Sequence, residues 1–536
     1  MTSPVSSRPS DCAWGAFDDV APWVLDPNNI SWEKQAIELR VSAQREVPVL
    51  TTPTRIPPVA RLVVVVWVLS KALVPWFVKK KLRPFATPED SRAYISLRMR
   101  KAVERLGSTY IKLGQIISSG EGLFPAELVN EFKLCRDQVP AIPFESVKKT
   151  IESELGKPLP EVFSYIDTTA LAAASIAQVH LATLITGEEV VVKVQRPTVS
   201  KMVRKDLRVM AWLAPHLVGR IKVSALANPP ALVELFAETI VEELDFRIEA
   251  SNMLDVAKML CELNQDRYII PRPHPTLATQ RVLVMQRLSG FKFDDVVGMK
   301  NAGIDTHSVI RTGMIAFMEG AMIYGVFHGD LHGGNLFVMP DGRTALLDFG
   351  IVGRLSGARR MAFLRLMLNA TTNNVVGQVE ALRDLGALPM DTDIHAVIKD
   401  LNLGDAAIDP TTLSGEELVQ EVQRIVKALM GYGARMPKEL MLYVKNMVFL
   451  DGAIARLAPE LDILAEIASI SMLFAERHGE RLGRELGVDH TAIEINLDSV
   501  KTGVLGVDAS VNSLTYRDLQ ARRELIQKRM RDHVGR

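Results

Sequence analysis

The chain has 536 residues, too many for one core of ordinary domain size, and 48% of them are hydrophobic, so two or three packed units with tails are expected. Lys and Arg total 63 and Asp and Glu total 63, a balance that argues against the basic surface general nucleic-acid binding needs. The three cysteines, Cys12, Cys135 and Cys261, are far apart and odd in number, which argues against a disulfide framework or zinc site and for a reducing compartment.

The start, MTSPVSSRPSDCAWGAFDDV, has no basic region followed by an apolar run, so no secretory signal is expected. Residues 1–58 mix Pro, Ser, Asn and charge with little periodicity, and read as a largely flexible arm with one short helix near Trp32. VARLVVVVWVLSKALVPWFVKKKLR covers Val59 to Arg83. Arg61, Lys71 and Pro75 interrupt it, which speaks against a spanning helix of about 20 apolar residues. Trp67, Trp76 and the Lys79–Lys81 cluster suit a segment lying at an anionic membrane surface. The alternative is a hydrophobic helix or strand packed on the main domain.

Thr87-Pro88-Glu89-Asp90 is a strong helix start: a cap, a proline in the first turn, then acids at the positive end of the dipole. Met99, Val103, Leu106, Tyr110, Leu113 and Ile117 form one apolar stripe on a long helix. Lys112 and Gln115 lie off the stripe on another shared face. From about Ile166 the texture turns to strands. SIAQVHLATLI and EEVVVKVQ form a hairpin across Thr186-Gly187, VELFAETIVEELDFRIEASNMLDVAKML is a long helix or a helix pair, and RVLVMQ is a further strand. GNLFVMPDGRTALLDFG is a hairpin turning at Pro340-Asp341-Gly342. After Gly353 the pattern is almost wholly helical. It ends in a polar, basic-leaning helix that is either solvated or a docking arm.

Several of these segments carry groups that phosphoryl transfer from ATP requires, since that chemistry is mostly positioning and charge neutralisation. In FHGDLHGGNLFV, Asp330 and Asn335 are five apart, the spacing of a catalytic aspartate and a metal-binding asparagine. Asp348 opens Asp-Phe-Gly at the end of an apolar strand, where a magnesium carboxylate belongs. Lys193, inside VVVKVQRP, matches a strand lysine that holds phosphates. A buried lysine needs a carboxylate partner, and Glu249 on the following helix is the candidate. AAASIAQVH occupies the position where glycines would cover the phosphates. Its Ala172, Ala173, Ala174 and Ser175 are candidate nucleotide contacts, although an ordinary alanine-rich turn into a strand has the same look. His332 stands where a protein kinase usually has a lysine. An imidazole there gives weaker γ-phosphate stabilisation, so slow turnover is expected, with ATP hydrolysis favoured over protein phosphorylation.

From about Tyr94 to Leu461 the chain resembles the ABC1/UbiB (AarF/ADCK/COQ8-type) atypical kinase-like family. YIKLGQ matches its Lys-x-Gly-Gln motif, AAASIAQVH its alanine-rich loop, EELDFRIEASN its Glu-x-Asp motif at Glu243 and Asp245, and FHGDLHGGN and LLDFGIVGRL its catalytic and metal loops. Ordinary protein kinases lack the first motif. The resemblance implies an α+β fold: an atypical two-lobed protein-kinase-like fold with a mostly helical C-lobe and an added N-terminal helical extension. It divides the chain into the arm (1–58), the hydrophobic and basic segment (59–86), the helical extension (87–160), an N-lobe (161–290), a C-lobe (291–465) and a C-terminal helical tail (466–536).

The resemblance also implies ATP and Mg2+ as cofactors, with Lys193 and Asp330 catalytic, Glu249 orienting Lys193, and Asn335 and Asp348 on the metal. Lys112 and Gln115 would act against Glu243 and Asp245 as a regulatory cover over the site. A role in isoprenoid-quinone or other lipid metabolism follows by likeness. The expected setting is cytoplasmic and peripheral on the inner face of a membrane, with ATP or ADP, lipid and protein partners but no nucleic acid. The chain departs from the pattern at SSGEGLFP with Glu121, at Gln286 where an acid is usual, and at Leu331 and Gly333 where proline is frequent. Two rival readings stay open: a small-molecule phosphotransferase of the aminoglycoside or choline kinase type, and a non-catalytic nucleotide-gated lipid-binding scaffold.

Overall fold

The computed structural model describes Phe17, residues 22–118, 125–135, 140–218, 228–401 and 429–487, Lys501, and residues 510–534, apart from positions 27, 356, 373, 430 and 512. Glu121 lies outside the described residues. The chain divides into two compact units, one formed by residues 1–292, 333–339 and 343–352, the other by 293–332, 340–342 and 353–536.

The first unit begins with a departure from expectation. The short helix expected near Trp32 is a 19-residue helix, α1 (Glu33–Thr51), which takes up much of the stretch read as a flexible arm. The segment before it is pinned to an extended strand near residue 275: Trp23 Nε1 donates to Pro273 O (3.0 Å), Trp32 Nε1 to His274 O (3.1 Å), and Ser31 N to Pro275 O (3.1 Å). Trp32, Ala36, Val47 and Leu50 are buried. Apolar contacts spaced around one helix face, with no cap signal, leave little trace in a polar sequence.

Helix α2 (Val59–Leu82) runs unbroken through Pro75. Proline has no N–H to offer the carbonyl four residues back, Lys71 O, and Arg98 replaces it by donating from Nη2 at 2.5 Å, with Nε on Ala72 O at 2.8 Å. One face of α2 (Val65, Val68, Ala72) is buried. Arg61 reaches from it to the fully buried Asp206 at 2.5 Å and to Leu106 O at 2.7 Å. Removing either side of such a buried pair costs about 3–5 kcal/mol, so this contact fixes where α2 lies. With 24 residues and a mean hydropathy of 1.9, α2 is also long and apolar enough to cross a membrane, by length and composition alone.

The long helix expected after Thr87 is two: α3 (Pro88–Leu106) and α4 (Ser108–Ser118), broken at Gly107, whose φ of 95° ends the first helix. The cap is as the sequence implies, Thr87 accepting from Asp90 N. Two short helices, α5 (Ala126–Phe132) and α6 (Phe144–Leu155), lead into a sheet ordered β1-β3-β4-β7-β6, with β2 added on β3. Its strands are β1 (Phe163–Ile166), β2 (Ala172–Ala173), β3 (Ala177–Leu184), β4 (Glu189–Gln195), β6 (Pro273–Ala278) and β7 (Val282–Gln286). Val190, Val192, Val194, Val282 and Val284 are fully buried on one face of it. The opposite residues of β4 alternate to the other face, which puts Lys193 between Val179 of β3 and Leu283 of β7.

Helix α7 (Val199–Leu217) is followed by a helix pair, α8 (Pro229–Glu242) and α9 (Phe246–Glu262). A small second sheet joins β5 (Tyr268–Ile269), the hairpin strands Thr344–Leu346 and Leu336–Val338, and β8 (Phe291–Lys292).

The second unit is mostly helical, with helices at Thr306–Glu319, Gly357–Thr371, Val375–Asp384, Lys438–Leu457 and Ile463–Leu486. Phe317 stacks on Tyr443 at 5.0 Å, and Phe327 and Phe363 meet those rings edge-on, which seats the Lys438–Leu457 helix against its neighbours. The terminal basic-leaning helix, Tyr516–Val534, begins with the buried Tyr516 and Leu519, and Arg523 pairs with Asp451 at 2.6 Å.

The first unit contains a latent acid trigger. His274 Nδ1 accepts from both Thr276 N and Leu277 N at 3.2 Å, and the ring packs on Trp23 at 5.0 Å. Burial pushes its pKa down from 6.5 to about 4. The folded state therefore binds this proton less tightly than the unfolded chain, and its contribution is full above pH 6.5 and lost as the pH falls through about 4. His274→Asn keeps an acceptor for both amides but cannot titrate. Unfolding midpoints measured from pH 7 to 4 should show wild type losing stability relative to His274→Asn, and a constant difference contradicts this.

Candidate active site

Lys193 leaves β4 on the face opposite the valine core, and its environment is acidic. Its Nζ lies 2.7 Å from Glu249 Oε1 and 3.1 Å from Asp348 Oδ2. The sequence thus brings three of its candidate residues together within the first unit. Glu249 sits one turn into α9 and is buried, whereas the Asp348 side chain is 47% exposed. Burial disfavours the charged lysine, but the carboxylates of Asp348 and Glu249 outweigh it and raise its pKa. Burial also pushes Glu249 upward, against the pull of Lys193 and with the like charge of Asp348 adding to it. One ammonium thus serves two carboxylates, one sheltered and one open to solvent.

The Asp-Phe-Gly backbone is held in a defined shape. Asp348 has φ 49°, a left-handed conformation rare for a residue with a side chain, and its Oδ1 accepts from Gly350 N at 3.1 Å. Asn252, three residues beyond Glu249 on α9, donates Nδ2 to Phe349 O at 2.8 Å. Asn252 Oδ1 in turn accepts from Arg40 Nη2 of α1 at 2.9 Å, so α1 supports the Asp-Phe-Gly backbone. Phe349 is fully buried. Asn335 is buried, and its carbonyl accepts from Leu347 N at 2.8 Å, which ties its loop to the strand before Asp348.

The donors offered by Asp348 and Asn335, a carboxylate and an amide oxygen, are hard ligands of the kind Mg2+ takes. Among the described residues no group of three or more His, Cys, Asp or Glu is placed to hold a metal. A magnesium ion at Asp348 would therefore complete its shell with water and phosphate oxygens, as it does in sites that bind it with substrate.

The break between α8 and α9 falls on Glu243 and Asp245. Lys112 of α4 pairs with Glu243 Oε1 at 3.0 Å, and its side chain is only 14% exposed. Gln115 is partly buried one turn on. Asp245 is engaged elsewhere: it caps α9 by accepting from Arg247 N at 3.1 Å, and the Arg247 guanidinium grips it from Nε and Nη2. Gly350 lies against Glu243, where an added Cβ would meet Glu243 Cγ at 3.4 Å and Asp348 Oδ1 at 3.2 Å. Lys112, Glu243, Gly350, Asp348 and Lys193 therefore form one contiguous path.

The alanine-rich loop is a tight hairpin. Ala172 and Ala173 pair with Val179 and Gln178. Ala174 donates its amide to Ala177 O at 2.9 Å, so that amide is committed within the loop. Ser175 is buried. Arg196, in the VQRP that follows the lysine strand, donates Nε to Ala174 O at 2.9 Å and Nη2 to Pro140 O at 3.0 Å. Gln286 has a structural part: its Oε1 accepts from Arg272 N at 3.3 Å.

Asp330 belongs to the second unit, together with His332, which is partly buried. Its neighbours there are Lys445 and Asn446, adjacent residues of the Lys438–Leu457 helix. Lys445 Nζ bonds Asp330 Oδ1. Asn446 Oδ1 accepts from Leu331 N at 3.0 Å, and its Nδ2 donates to His328 O. His328 Nδ1 accepts from Asp330 N at 3.1 Å. Sequence reasoning did not single out Arg40, Arg196, Asn252, Lys445 or Asn446. Only Arg196 and Asn252 carried a signal, lying inside motifs already quoted.

Asn252→Ala leaves both the Phe349 carbonyl and the Arg40 guanidinium without this partner. It should cost about 1–3 kcal/mol in chemical denaturation. Arg40→Ala should cost less, because Asn252 still reaches Phe349. Equal losses in the two variants would contradict this order of support.

The chain is similar to known proteins over most of its length. The ABC1 atypical kinase-like domain matches residues 134–382. An uncharacterised chloroplastic aarF domain-containing protein kinase of Arabidopsis thaliana is 32% identical over 69% of this chain and 73% of its own. A probable protein kinase UbiB of Marinobacter nauticus is 30% identical over 73% of this chain and 70% of its own. A Mycobacterium tuberculosis protein solved in complex with erythromycin aligns with 65% of this chain and 91% of its own at 20% identity, with a TM-score of 0.36, too low to bear on this site. With its kinase-like α+β fold and its identity to both relatives, the chain belongs to the ABC1/UbiB atypical kinase-like family.

Proposed function

We propose that the chain binds ATP with Mg2+ and acts as a slow atypical kinase or ATPase at an anionic membrane surface, in or beside isoprenoid-quinone or other lipid metabolism. The observation that carries this reading is the Lys193 ammonium held between a buried Glu249 and an accessible Asp348. Glu249 fixes the lysine, and Lys193 holds the phosphates. Asp348 and Asn335 hold the magnesium ion, which supplies neutralisation of phosphate charge. Asp330 orients and polarises the acceptor hydroxyl or a water. The alanine-rich loop, Ala172 to Ser175, covers the nucleotide with its shape. Lys112, Gln115, Glu243 and Asp245 govern access from the helical extension. His332 in place of a lysine favours slow hydrolysis.

MgATP should raise the melting temperature of wild type and leave Lys193→Met and Asp348→Asn unmoved. Wild type should release phosphate slowly, with turnover at least about 10-fold lower in Asp348→Asn. A melting shift with no product supports the scaffold reading instead, stoichiometric phosphorylation of a small alcohol supports the phosphotransferase reading, and no shift in wild type defeats the nucleotide site.

Support for the membrane setting lies on α2. Val59, Val63, Val66, Val74 and Phe77 recur at helical spacing on the face away from Val65, Val68 and Ala72, and each is roughly half exposed or more. Trp67 is 57% exposed with Lys71 over its ring at 3.6 Å, and Lys80 lies over Trp76 at 4.9 Å. Apolar and aromatic groups flanked by lysines match the composition of an interfacial helix. The chain should sediment with phosphatidylglycerol-containing vesicles and much less with pure phosphatidylcholine. A Lys79→Glu, Lys80→Glu, Lys81→Glu variant should lose that preference. Equal binding to both vesicles contradicts the electrostatic part of this reading.

A further inference from the structure

The loop that carries Asp330 lacks the lysine of a protein-kinase catalytic loop. Two residues beyond the aspartate, where a protein kinase usually has lysine, this chain has His332. An aspartate that handles an acceptor hydroxyl beside anionic phosphates works best when its own charge is held in place and partly offset. The structure supplies an ammonium from elsewhere: Lys445 Nζ bonds Asp330 Oδ1, 115 residues away in sequence. The side chains of Lys445 and Asp330 are 21% and 17% exposed, so the pair is sheltered but open at one edge.

A second observation shows that this helix is built to hold the loop. Asn446, next to Lys445 and fully buried, takes Leu331 N on its Oδ1 and gives Nδ2 to His328 O, clamping the main chain on both sides of Asp330. Tyr443, one turn earlier on the helix, is locked in the aromatic cluster with Phe317, Phe327 and Phe363. The loop backbone and the helix are thus fixed to each other, and Lys445 meets Asp330 as a consequence. An ordinary surface ion pair has no such frame and is worth little.

We propose that Lys445 is the positioning residue for Asp330, supplying from the Lys438–Leu457 helix an ammonium to a loop that carries His332 where a protein kinase usually has lysine. The inference rests on the reading of Asp330 as the group that orients the acceptor. Lys445 holds the Asp330 carboxylate in one rotamer from the Lys438–Leu457 helix. Lys445 itself forms and breaks no bond in the reaction.

The test is steady-state ATP turnover of the full chain with Mg2+, with melting temperature read on the same samples. Lys445→Met should lower kcat at least about 10-fold with KM for ATP within about twofold of wild type and the melting temperature held. Lys445→Arg, which keeps the charge, should recover most of the rate. The proposal is overturned if Lys445→Met turns over like wild type, or if turnover and melting temperature fall together and Lys445→Arg restores neither. A wild type that is stabilised by MgATP but gives no product also overturns it and leaves the nucleotide site standing. A wild type that MgATP does not stabilise defeats the nucleotide site itself.

Discussion

A single buried ammonium between two carboxylates organises the first unit. Stripping water from Lys193 is costly, and only close opposite charge offsets the cost. β4 carries the lysine, α9 carries Glu249 one turn from its start, and the loop after the Thr344–Leu346 strand carries Asp348. All three elements must therefore hold their places for the contact to form. The two carboxylates differ in exposure: Glu249 is sheltered beside the lysine, and Asp348 is open to solvent.

The rest of the unit supports that contact from a distance. Arg40 of α1 holds Asn252, which holds the Phe349 carbonyl. On the other side, Lys112 holds Glu243, which packs on Gly350 beside Asp348. Side chains from the N-terminal helices therefore reach the Asp-Phe-Gly segment by two routes, one along α9 and one through the α8–α9 break. Helix α2 is fixed in the same unit by the Arg61–Asp206 pair and by Arg98 on the carbonyl orphaned by Pro75, with its other face left exposed and apolar.

What the sequence disclosed follows from the range of the interactions. Strand alternation, the Gly187 turn and the Thr87 cap are local, and β3, β4 and the start of α3 stand where the residues imply. Lys193 and Glu249 were legible because a buried cation demands an acid, and α9, the third helix after its strand, offers one. The break at Gly107 was hidden because the apolar stripe continues across it, and glycine alone at positive φ divides the helix. The full length of α1 was hidden because its anchors, such as Trp32 to His274 O, span 242 residues. Helix α2 passes through Pro75 by a long-range contact of the same kind: the donor that compensates for the proline is Arg98, on the next helix. Lys445 and Asn446 lie in an apolar helical run with nothing local to mark them, and only the fold brings them to the loop of Asp330.

The most direct measurement is a double-mutant cycle on the nucleotide-free protein, comparing the unfolding free energies of wild type, Lys193→Met, Asp348→Asn and the double variant. The account predicts a coupling of about 0.5–3 kcal/mol, because each single change strips a partner from the other charge. Additive effects, with no coupling, would mean that the ammonium and the open carboxylate do not hold each other, and the account would fail at its centre.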